Sequence, residues 1–138
     1  MIAPLYKGTV ADFLKLFSAS ICTNSVQTLT KKYKKEHGCQ HDKEPSLSGD
    51  CHGEIEAAHI KGCERKDIML YIIWCIINKS AINITDFLTK RPQSKLQESC
   101  IIDIDLFKFL EKFKQFHKDN IAALIIPLCH KHHKQYDK

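Results

Sequence analysis

The sequence lacks the features that mark the common non-globular classes of protein. It has no glycine- and serine-rich tract and no proline-rich linker, since it contains only five glycines and four prolines, and we therefore expect little disorder. The longest apolar run, residues 68–77, is about half of the roughly 20 residues that a membrane-spanning helix needs. The first residues contain no basic segment leading into an apolar one, so we expect no export signal and no membrane association.

Arginine is also scarce, although the chain is basic. Arg65 and Arg91 are the only two arginines, and lysine supplies nearly all of the excess behind the net charge of +5 and the pI of about 8.8. A lysine-rich surface favours a polyanionic partner such as nucleic acid. Because a bias towards lysine also follows from an AT-rich genome, charge alone leaves the partner open.

Two common signatures of enzymes are missing, namely the glycine-rich phosphate loop and the G-x-S-x-G nucleophile elbow. Cysteine, by contrast, is abundant, with seven residues in all. An odd number of cysteines in a chain without an export signal indicates free thiols and metal ligands rather than a disulfide framework.

The pattern of apolar residues predicts one mostly helical α+β domain. Short apolar stretches bounded by turn residues predict strands at residues 54–60 and 121–129. Apolar residues three and four apart predict helices at residues 10–18, about 23–38, 67–78, 84–90 and 103–117. In the last helix we expect Phe107, Phe109, Phe113 and Phe116 to face the core. Residues 38–53 are polar and turn-rich and predict a loop.

The strongest chemical signal is the segment LCHKHHKQYD, residues 128–137. Cys129 and His132 have the C-x-x-H spacing of a zinc knuckle, whose tight turn lets two ligands meet one tetrahedral ion. Two more ligands must come from elsewhere, and the polar loop offers Cys39 and Cys51. The same region holds three further candidate ligands: His37, His41 and His52.

Three other residues are candidates for a second metal site and for catalysis. His133 and Asp137 are four residues apart, so on a helix they project from one face and can share a second ion. His59 ends the first predicted strand. A single histidine on a short strand is more often a core or surface residue than a catalyst, so its role depends on its neighbours.

The segments GEIEAAHIKG and IIPLCHKHHKQYD, which contain these residues, together resemble the two halves of an HNH endonuclease. In that ββα-metal fold a histidine ends the first strand, and a helix after the second strand carries metal ligands. The resemblance implies such a core at residues 54–60 and 121–137. It also implies that His59 is the general base for water, that His133 and Asp137 bind a catalytic Mg²⁺ or Mn²⁺, and that Cys129 and His132 bind a structural Zn²⁺.

Under this interpretation, residues 1–138 form a single HNH-type nuclease domain. Its parts are a helical N-terminal part (1–38), a zinc loop with the first strand (39–62), a helical insertion (63–119), and the second strand with the metal-binding helix (120–138). The insertion separates His59 from His133 by 74 residues. Because the entropic cost of closing a loop grows slowly with its length, such an insertion is tolerated if its ends lie close together.

Two positions depart from the family pattern. Ala58 stands where many members have an aspartate or histidine metal ligand. The metal is then held either by fewer protein ligands or with Glu54 or Glu56 as the replacement. The asparagine of the family name has no counterpart at its usual place, where Leu124 stands, and Asn120 is the nearest candidate.

The first functional hypothesis is a metal-dependent endonuclease that cleaves double-stranded DNA, of the restriction, phage or mobile-element kind. We expect it to act in the cytoplasm of a bacterium, encoded by the bacterium or by a phage, and a homodimer would let two sites cut two strands. Backbone phosphates would be bound by lysines, namely Lys31, Lys32, Lys34, Lys35, Lys131 and Lys134.

Two alternatives belong to other classes. The first is a zinc-stabilised nucleic-acid-binding module without catalysis, which has no need of His59. The second is a structural zinc protein that acts on another protein through its helical insertion, and it predicts negligible affinity for DNA even at low salt.

Overall fold

The computed structural model of the chain describes residues 4–17 and 20–138. Within these residues the strands are β1 (Leu5–Thr9), β2 (Ile55–His59), β3 (Ile101–Asp105) and β4 (Ile125–Cys129). The helices are α1 (Val10–Phe17), α2 (Ser20–His37), α3 (Arg65–Asn78), α4 (Ile84–Thr89), α5 (Leu106–Asp119), α6 (Ile121–Leu124) and α7 (His130–Tyr136). The prediction of a mostly helical α+β fold is confirmed.

The strands form two separate antiparallel pairs. β1 pairs with β3, so that Leu5 lies opposite Asp105. β2 pairs with β4, so that Ile55 lies opposite Cys129 and His59 lies opposite Ile125. The β2–β4 pair followed directly by α7 places the C-terminal helix against the strand that ends in His59.

A large apolar core lies among the helices and both sheets. α3 is buried on nearly all sides, which agrees with its continuous apolar sequence. α5 packs one face inward through Phe109, Phe113 and Phe116, each at most 3% exposed. The prediction that Phe107 also faces the core is wrong, because Phe107 is 52% exposed. Each residue turns an α-helix by about 100°, so Phe107 lies about 200° around the helix from Phe109 and points away from the core.

No described helix combines the length and apolarity needed to cross a membrane.

A smaller core lies on the other face of the β2–β4 sheet. It contains four buried residues that pack beneath α7: Leu47, Ala58, Leu128 and Tyr136. Ile125 of β4 belongs instead to the large core. The β2–β4 sheet is therefore a wall shared by the two cores.

The helix predicted at residues 103–117 begins later than expected. Residues Ile101–Asp105 are a strand, in which the buried Ile102 and Ile104 alternate with more exposed residues. Such alternation is the period of a strand and not of a helix. α5 begins only after Asp105, whose side chain accepts a hydrogen bond from the backbone N–H of Lys108 at 3.1 Å, as an N-cap does.

The strand predicted at residues 121–129 is half as long as expected. Its first four residues form the helical turn α6, in which the N–H groups of Ala123 and Leu124 donate to the carbonyl of Asn120. β4 then starts at Ile125. The remaining predicted elements differ from the observed bounds by one to three residues, and Ser18, the predicted end of α1, lies outside the described residues.

The helical insertion leaves the β2–β4 sheet and returns to it at nearly the same point. The N–H of Ile60, directly after β2, donates to the carbonyl of Leu124, directly before β4, at 2.8 Å. The thiol of Cys63 lies 3.8 Å from the carbonyl of Ala123. Because the ends are this close, the insertion can be long without separating His59 from α7.

Candidate metal centre and catalytic cleft

Four residues predicted to bind one metal come together at the end of the β2–β4 sheet. Cys39 follows α2, Cys51 lies in the polar loop, Cys129 ends β4 and His132 is in the first turn of α7. Their donor atoms all lie within 4.8 Å of one another. The Nδ1 atom of His132 is 3.2 Å from the sulfur of Cys129, 3.5 Å from that of Cys39 and 3.8 Å from that of Cys51.

These distances fit a tetrahedral ion. With zinc–sulfur bonds of about 2.3 Å and zinc–nitrogen bonds of about 2.0 Å, the ligand atoms of a tetrahedral site lie roughly 3.5–3.8 Å apart. Three thiols and one imidazole are also a ligand set that zinc commonly has in structural sites. The cluster could therefore hold a structural metal such as zinc.

The backbone around the cluster selects the ligating nitrogen of His132. The Nε2 atom lies 3.2 Å from the carbonyl of Ser48 and 3.1 Å from that of Gly49. Since a carbonyl only accepts hydrogen bonds, Nε2 carries the proton and Nδ1 keeps its lone pair towards the thiols. The N–H of Cys129 also donates to the sulfur of Cys39 at 3.2 Å.

The thiols differ in acidity. Burial raises the pKa of Cys129, but hydrogen bonds from the backbone N–H groups of His132 and His52 and from the other two thiols outweigh it and lower that pKa to about 6. The pKa of Cys51 is raised to about 11, first by desolvation and then by Cys39 and Cys129. Cys129 therefore forms a thiolate more readily than Cys51, and a bound cation would favour the ionised form of Cys51.

The polar loop is fastened to α7 by several hydrogen bonds. The Gln135 side chain both accepts from the N–H of Ser48 at 3.1 Å and donates to its carbonyl at 3.2 Å. The ammonium of Lys131 donates to the carbonyl of Asp50 at 2.9 Å. Gly53 has a φ of +88°, and a Cβ atom there would lie 2.6 Å from a side-chain atom of α7, so only glycine fits. Lys131, which we predicted to bind nucleic acid, therefore also holds the loop.

Of the three further candidate ligands, His41 lies beside the cluster. Its Nδ1 atom is 3.5 Å from the sulfur of Cys39 and 3.7 Å from that of Cys51, and its ring stacks on His132 with centroids 4.3 Å apart. The more compact set of four donors nevertheless excludes it. His37 and His52 do not belong to that set.

A second cluster lies between β2 and α7, centred on His133. Its Nδ1 atom is 2.8 Å from a carboxylate oxygen of Glu56, and its Nε2 atom is 3.2 Å from one of Asp137. The other oxygen of Glu56 is 3.1 Å from Nδ1 of His130. Hydrogen bonds from His133 first, and then from His130, lower the pKa of Glu56. Glu56 is therefore an ionised residue that fixes the orientation of the His133 ring.

His59, His133 and Asp137 line one cleft of about 500 Å³. The charged residues Lys61, Glu64 and Arg65 line the same cleft. The backbone N–H of Lys61 donates to the hydroxyl of Tyr136 at 2.9 Å, which links the chain just after β2 to the end of α7. Residues 74 positions apart in the sequence thus face a common space.

The pKa of His59 is lowered to about 4. Burial is the largest cause, followed by the charges of His117 and Arg65. The ring is therefore neutral near pH 7, which is the state that a general base requires. Its Nε2 atom is buried and has no hydrogen-bond partner among the described residues.

The two positions that depart from the family pattern lie outside this cleft. Ala58 is 1% exposed and packs in the small core with Leu128 and Tyr136. Asn120 follows α5, where its side chain donates to the carbonyl of Phe116 at 3.0 Å. Ala58 has no side-chain atom that could bind a metal, and Asn120 is not among the residues that line the cleft.

The predicted DNA-binding lysines differ in their surroundings. Lys31, Lys32, Lys35 and Lys134 are exposed. Lys34 is half-buried and lines a smaller cavity that His59 also lines. Lys34 is therefore the lysine of α2 that lies nearest to the proposed chemistry.

Comparisons of the chain with protein-family models, with curated proteins and with solved structures found no match. Its function is therefore inferred from its own residues and their geometry.

Proposed function

We propose that this protein is a metal-dependent endonuclease of the HNH type that hydrolyses phosphodiester bonds in double-stranded DNA. The observation that supports the proposal is the shared cleft: His59, His133 and Asp137 line it, although the insertion separates them in the sequence. A Cys3His cluster, to which α7 contributes His132, could hold a structural metal between α7 and the polar loop.

In this proposal His59 is the general base. Its imidazole is neutral because burial lowers its pKa to about 4, so it can accept a proton from a water molecule that attacks phosphorus. A base with so low a pKa is a weak one, but it is available across the physiological pH range.

His133 and Asp137 would hold the catalytic divalent ion, Mg²⁺ or Mn²⁺. Glu56 accepts a hydrogen bond from Nδ1 of His133, so Nε2, on the side of Asp137, is the nitrogen left for the ion. When bound, such an ion supplies positive charge that stabilises the transition state at phosphorus and the departing 3′ oxygen. Zinc is the ion proposed for the Cys3His cluster, where it would keep α7 in place.

The DNA backbone would lie across the cleft and along the lysines of α2. Lys61 and Arg65 line the cleft, and Lys34 lines the neighbouring cavity. Such contacts to phosphates give affinity and orientation without sequence recognition.

One observation favours a second candidate, a zinc-stabilised DNA-binding module without catalysis. The buried methyl group of Ala58 stands where many family members have a metal ligand, and it is covered by the small core. A site with only His133 and Asp137 as ligands would bind a divalent ion weakly.

Cleavage of supercoiled plasmid separates the two candidates. The zinc-loaded wild type, His59→Ala and the control His37→Ala are incubated with Mg²⁺ or Mn²⁺, and with EDTA added briefly as a metal-free control. His37 is exposed at the end of α2, so its loss should change nothing. We expect nicking by the wild type and His37→Ala, and loss of nicking in His59→Ala with DNA binding retained.

Two results would decide against the nuclease. Equal cleavage by His59→Ala would mean that His59 is not the base. Wild-type protein that binds plasmid but never cuts it with either ion would favour the binding module.

A further inference from the structure

A fully buried histidine, His117, lies next to the half-buried His59. His117, on α5, is 0% exposed. The two imidazole rings are nearly perpendicular, with centroids 5.8 Å apart and an angle of 82° between their planes. Neither the sequence pattern nor the proposed catalysis accounts for His117.

Each of these rings carries a buried nitrogen without a hydrogen-bond partner. Among the described residues, only His59, His117 and Gln93 have buried side-chain nitrogen or oxygen atoms of this kind, and in both histidines the atom is Nε2. A buried polar atom left unsatisfied costs about 1–3 kcal/mol. Two such atoms on adjacent rings are therefore expected to share a bridging water molecule.

The tautomer of His117 is fixed by the backbone. Its Nδ1 atom is 2.9 Å from the carbonyl of Phe113, and a carbonyl can only accept, so Nδ1 carries the proton. Burial lowers the pKa of His117, and the ring is neutral. In a neutral imidazole with the proton on Nδ1, Nε2 has a lone pair and can only accept.

We propose that His117 is a positioning residue for His59: the Nε2–H of His59 donates to one bridging water, which in turn donates to the Nε2 atom of His117. This bridge holds His59 in a single tautomer, in which Nδ1 has the lone pair. The role of that lone pair as the acceptor of the water proton rests on the proposed nuclease function, whereas the pairing of the rings does not.

The space beside the rings can hold the bridging water. Both histidines line a cavity of about 250 Å³, together with Thr30 and Lys34 of α2. A bridging water needs only about 10–15 Å³ and two or more polar partners. The hydroxyl of Thr30 donates to the carbonyl of Gln27 at 3.1 Å, so it can accept the second hydrogen of such a water. The water would then accept its remaining hydrogen bond from the Nε2–H of His59.

The arrangement resembles the way other catalytic histidines are prepared for proton transfer. A base works only when the nitrogen facing its substrate lacks a proton, and a second group bonded to the other nitrogen secures that state. Here the neutral imidazole of His117, hydrogen-bonded to a backbone carbonyl, would fix the tautomer of the catalytic histidine, a role that a carboxylate often has. It would do so without bringing a negative charge into the core.

The test is the tautomeric state of His59, read from nitrogen-15 spectra of its imidazole in the zinc-loaded full chain at neutral pH. We expect the wild type to show a protonated Nε2 and a bare Nδ1 on His59, with the opposite assignment on His117. In His117→Phe, which keeps a ring beside Phe113 but removes the acceptor, the two nitrogen resonances of His59 should move towards each other as both tautomers become populated.

Two further variants isolate the hydrogen bond. His117→Gln supplies an amide oxygen as acceptor and should retain the wild-type tautomer. His37→Phe, the same change at an exposed position, should leave the His59 spectrum unchanged. A Nδ1-protonated His59 in the wild type, or the same spectrum in His117→Phe, would overturn the proposal. If His117→Phe does not fold, the tautomer of His59 in the wild-type spectrum is sufficient to test the proposal.

Activity separates this proposal from the nuclease proposal. If the protein cleaves DNA, kcat should fall about tenfold or more in His117→Phe, with KM unchanged and with recovery in His117→Gln. If the protein does not cleave DNA, the nitrogen spectra still establish or reject the pairing of the two rings. Loss of kcat without any change in the His59 tautomer would assign His117 a packing role only.

Discussion

His133 is held at both ring nitrogens by carboxylates, Glu56 on one side and Asp137 on the other. The resemblance to HNH endonucleases directs attention to position 58, next to the proposed base His59, where this chain has alanine. The structure instead brings Glu56, two residues earlier on β2, against α7. A carboxylate that accepts the Nδ1 proton raises the basicity of Nε2 and fixes its direction, so Glu56 is expected to matter although it stands two residues from the usual ligand position.

Replacing Glu56 by alanine should therefore weaken the site without unfolding it. We expect kcat for plasmid cleavage to fall on the order of 10- to 100-fold, as is common when the partner of a ligating histidine is lost. Glu54→Ala is the matched control, because Glu54 is exposed and precedes β2. The measurement is cleavage rate against Mn²⁺ concentration. Glu56→Ala with wild-type rates at every concentration would remove Glu56 from the site.

The lowered pKa of His59 predicts a loss of stability in acid. The group has a pKa of about 4 in the folded protein and about 6.5 when unfolded. Between these values the unfolded chain binds more protons, so the free energy of unfolding rises with pH. The contribution of His59 is fully present above pH 6.5 and decreases as the pH falls towards 4.

This contribution can be isolated with His59→Gln, which does not titrate. From pH 7 to pH 5 the wild type should lose on the order of 1–2 kcal/mol more unfolding free energy than the variant. Urea unfolding at constant zinc measures both, and His37→Gln serves as the control. Acid lability of the metal cluster is common to all three proteins and cancels. An equal loss in wild type and His59→Gln would mean that the ring is not buried in its neutral form.

The residues of the metal cluster could be predicted from the sequence to different degrees. The pair Cys129 and His132 follows from local spacing alone, because a tight turn fixes their relation. Their partners Cys39 and Cys51 lie about 80–90 residues away, and nothing local separates them from the neighbouring histidines. No sequence pattern indicated a role for His117, because its proposed role depends on the His59 ring, which lies beside it only in the folded chain.

At the scale of elements, helices could be predicted more fully than strands. α3 and α5 follow from their apolar residues, although α5 begins three residues later than predicted. β1 and β3 have five residues each, and each is stabilised by pairing with the other, which lies about 100 residues away in the sequence. A five-residue strand contains too few alternations to stand out beside the helix that follows it.

α2 carries four lysines at residues 31–35, and the structure gives them different positions. Lys34 lines the cavity beside His59, whereas Lys32 is exposed and lines none of the cavities near the cleft. A backbone phosphate bound close to the scissile bond would lie nearer to Lys34. Lys34 should therefore contribute both to affinity and to the placement of DNA over His59.

Lys34→Ala and Lys32→Ala form a matched pair. Each removes one charge, so either change that abolishes a phosphate contact should reduce the slope of log affinity against log salt by about 1. We expect only Lys34→Ala also to reduce the cleavage rate at saturating DNA. The measurements are fluorescence anisotropy across a salt series and single-turnover cleavage. Equal rates in the two variants would mean that Lys34 contributes charge alone.

At the scale of the whole molecule, the β2–β4 sheet joins two cores of unequal size. The small core has four buried residues, far too few to stabilise the loop and α7 by apolar burial alone. A structural zinc ion supplies on the order of 10–16 kcal/mol in zinc-finger peptides. A domain of this size has a total stability of about 5–15 kcal/mol. We therefore expect the small core to fold only when the metal is bound.

Because the sheet is also a wall of the large core, loss of the metal should destabilise the whole molecule in one transition. In calorimetry the zinc-loaded protein should unfold in a single endotherm, and protein stripped by a chelator should melt at a much lower temperature or be unfolded throughout.

Cys129→Ser should behave like the stripped protein and bind less than one zinc per chain. Cys100→Ser, which changes a cysteine outside the cluster, should retain both the metal and the melting temperature. Two separate endotherms after stripping would show that the large core folds without the β2–β4 sheet. An unchanged melting temperature would mean that the cluster holds no structural ion.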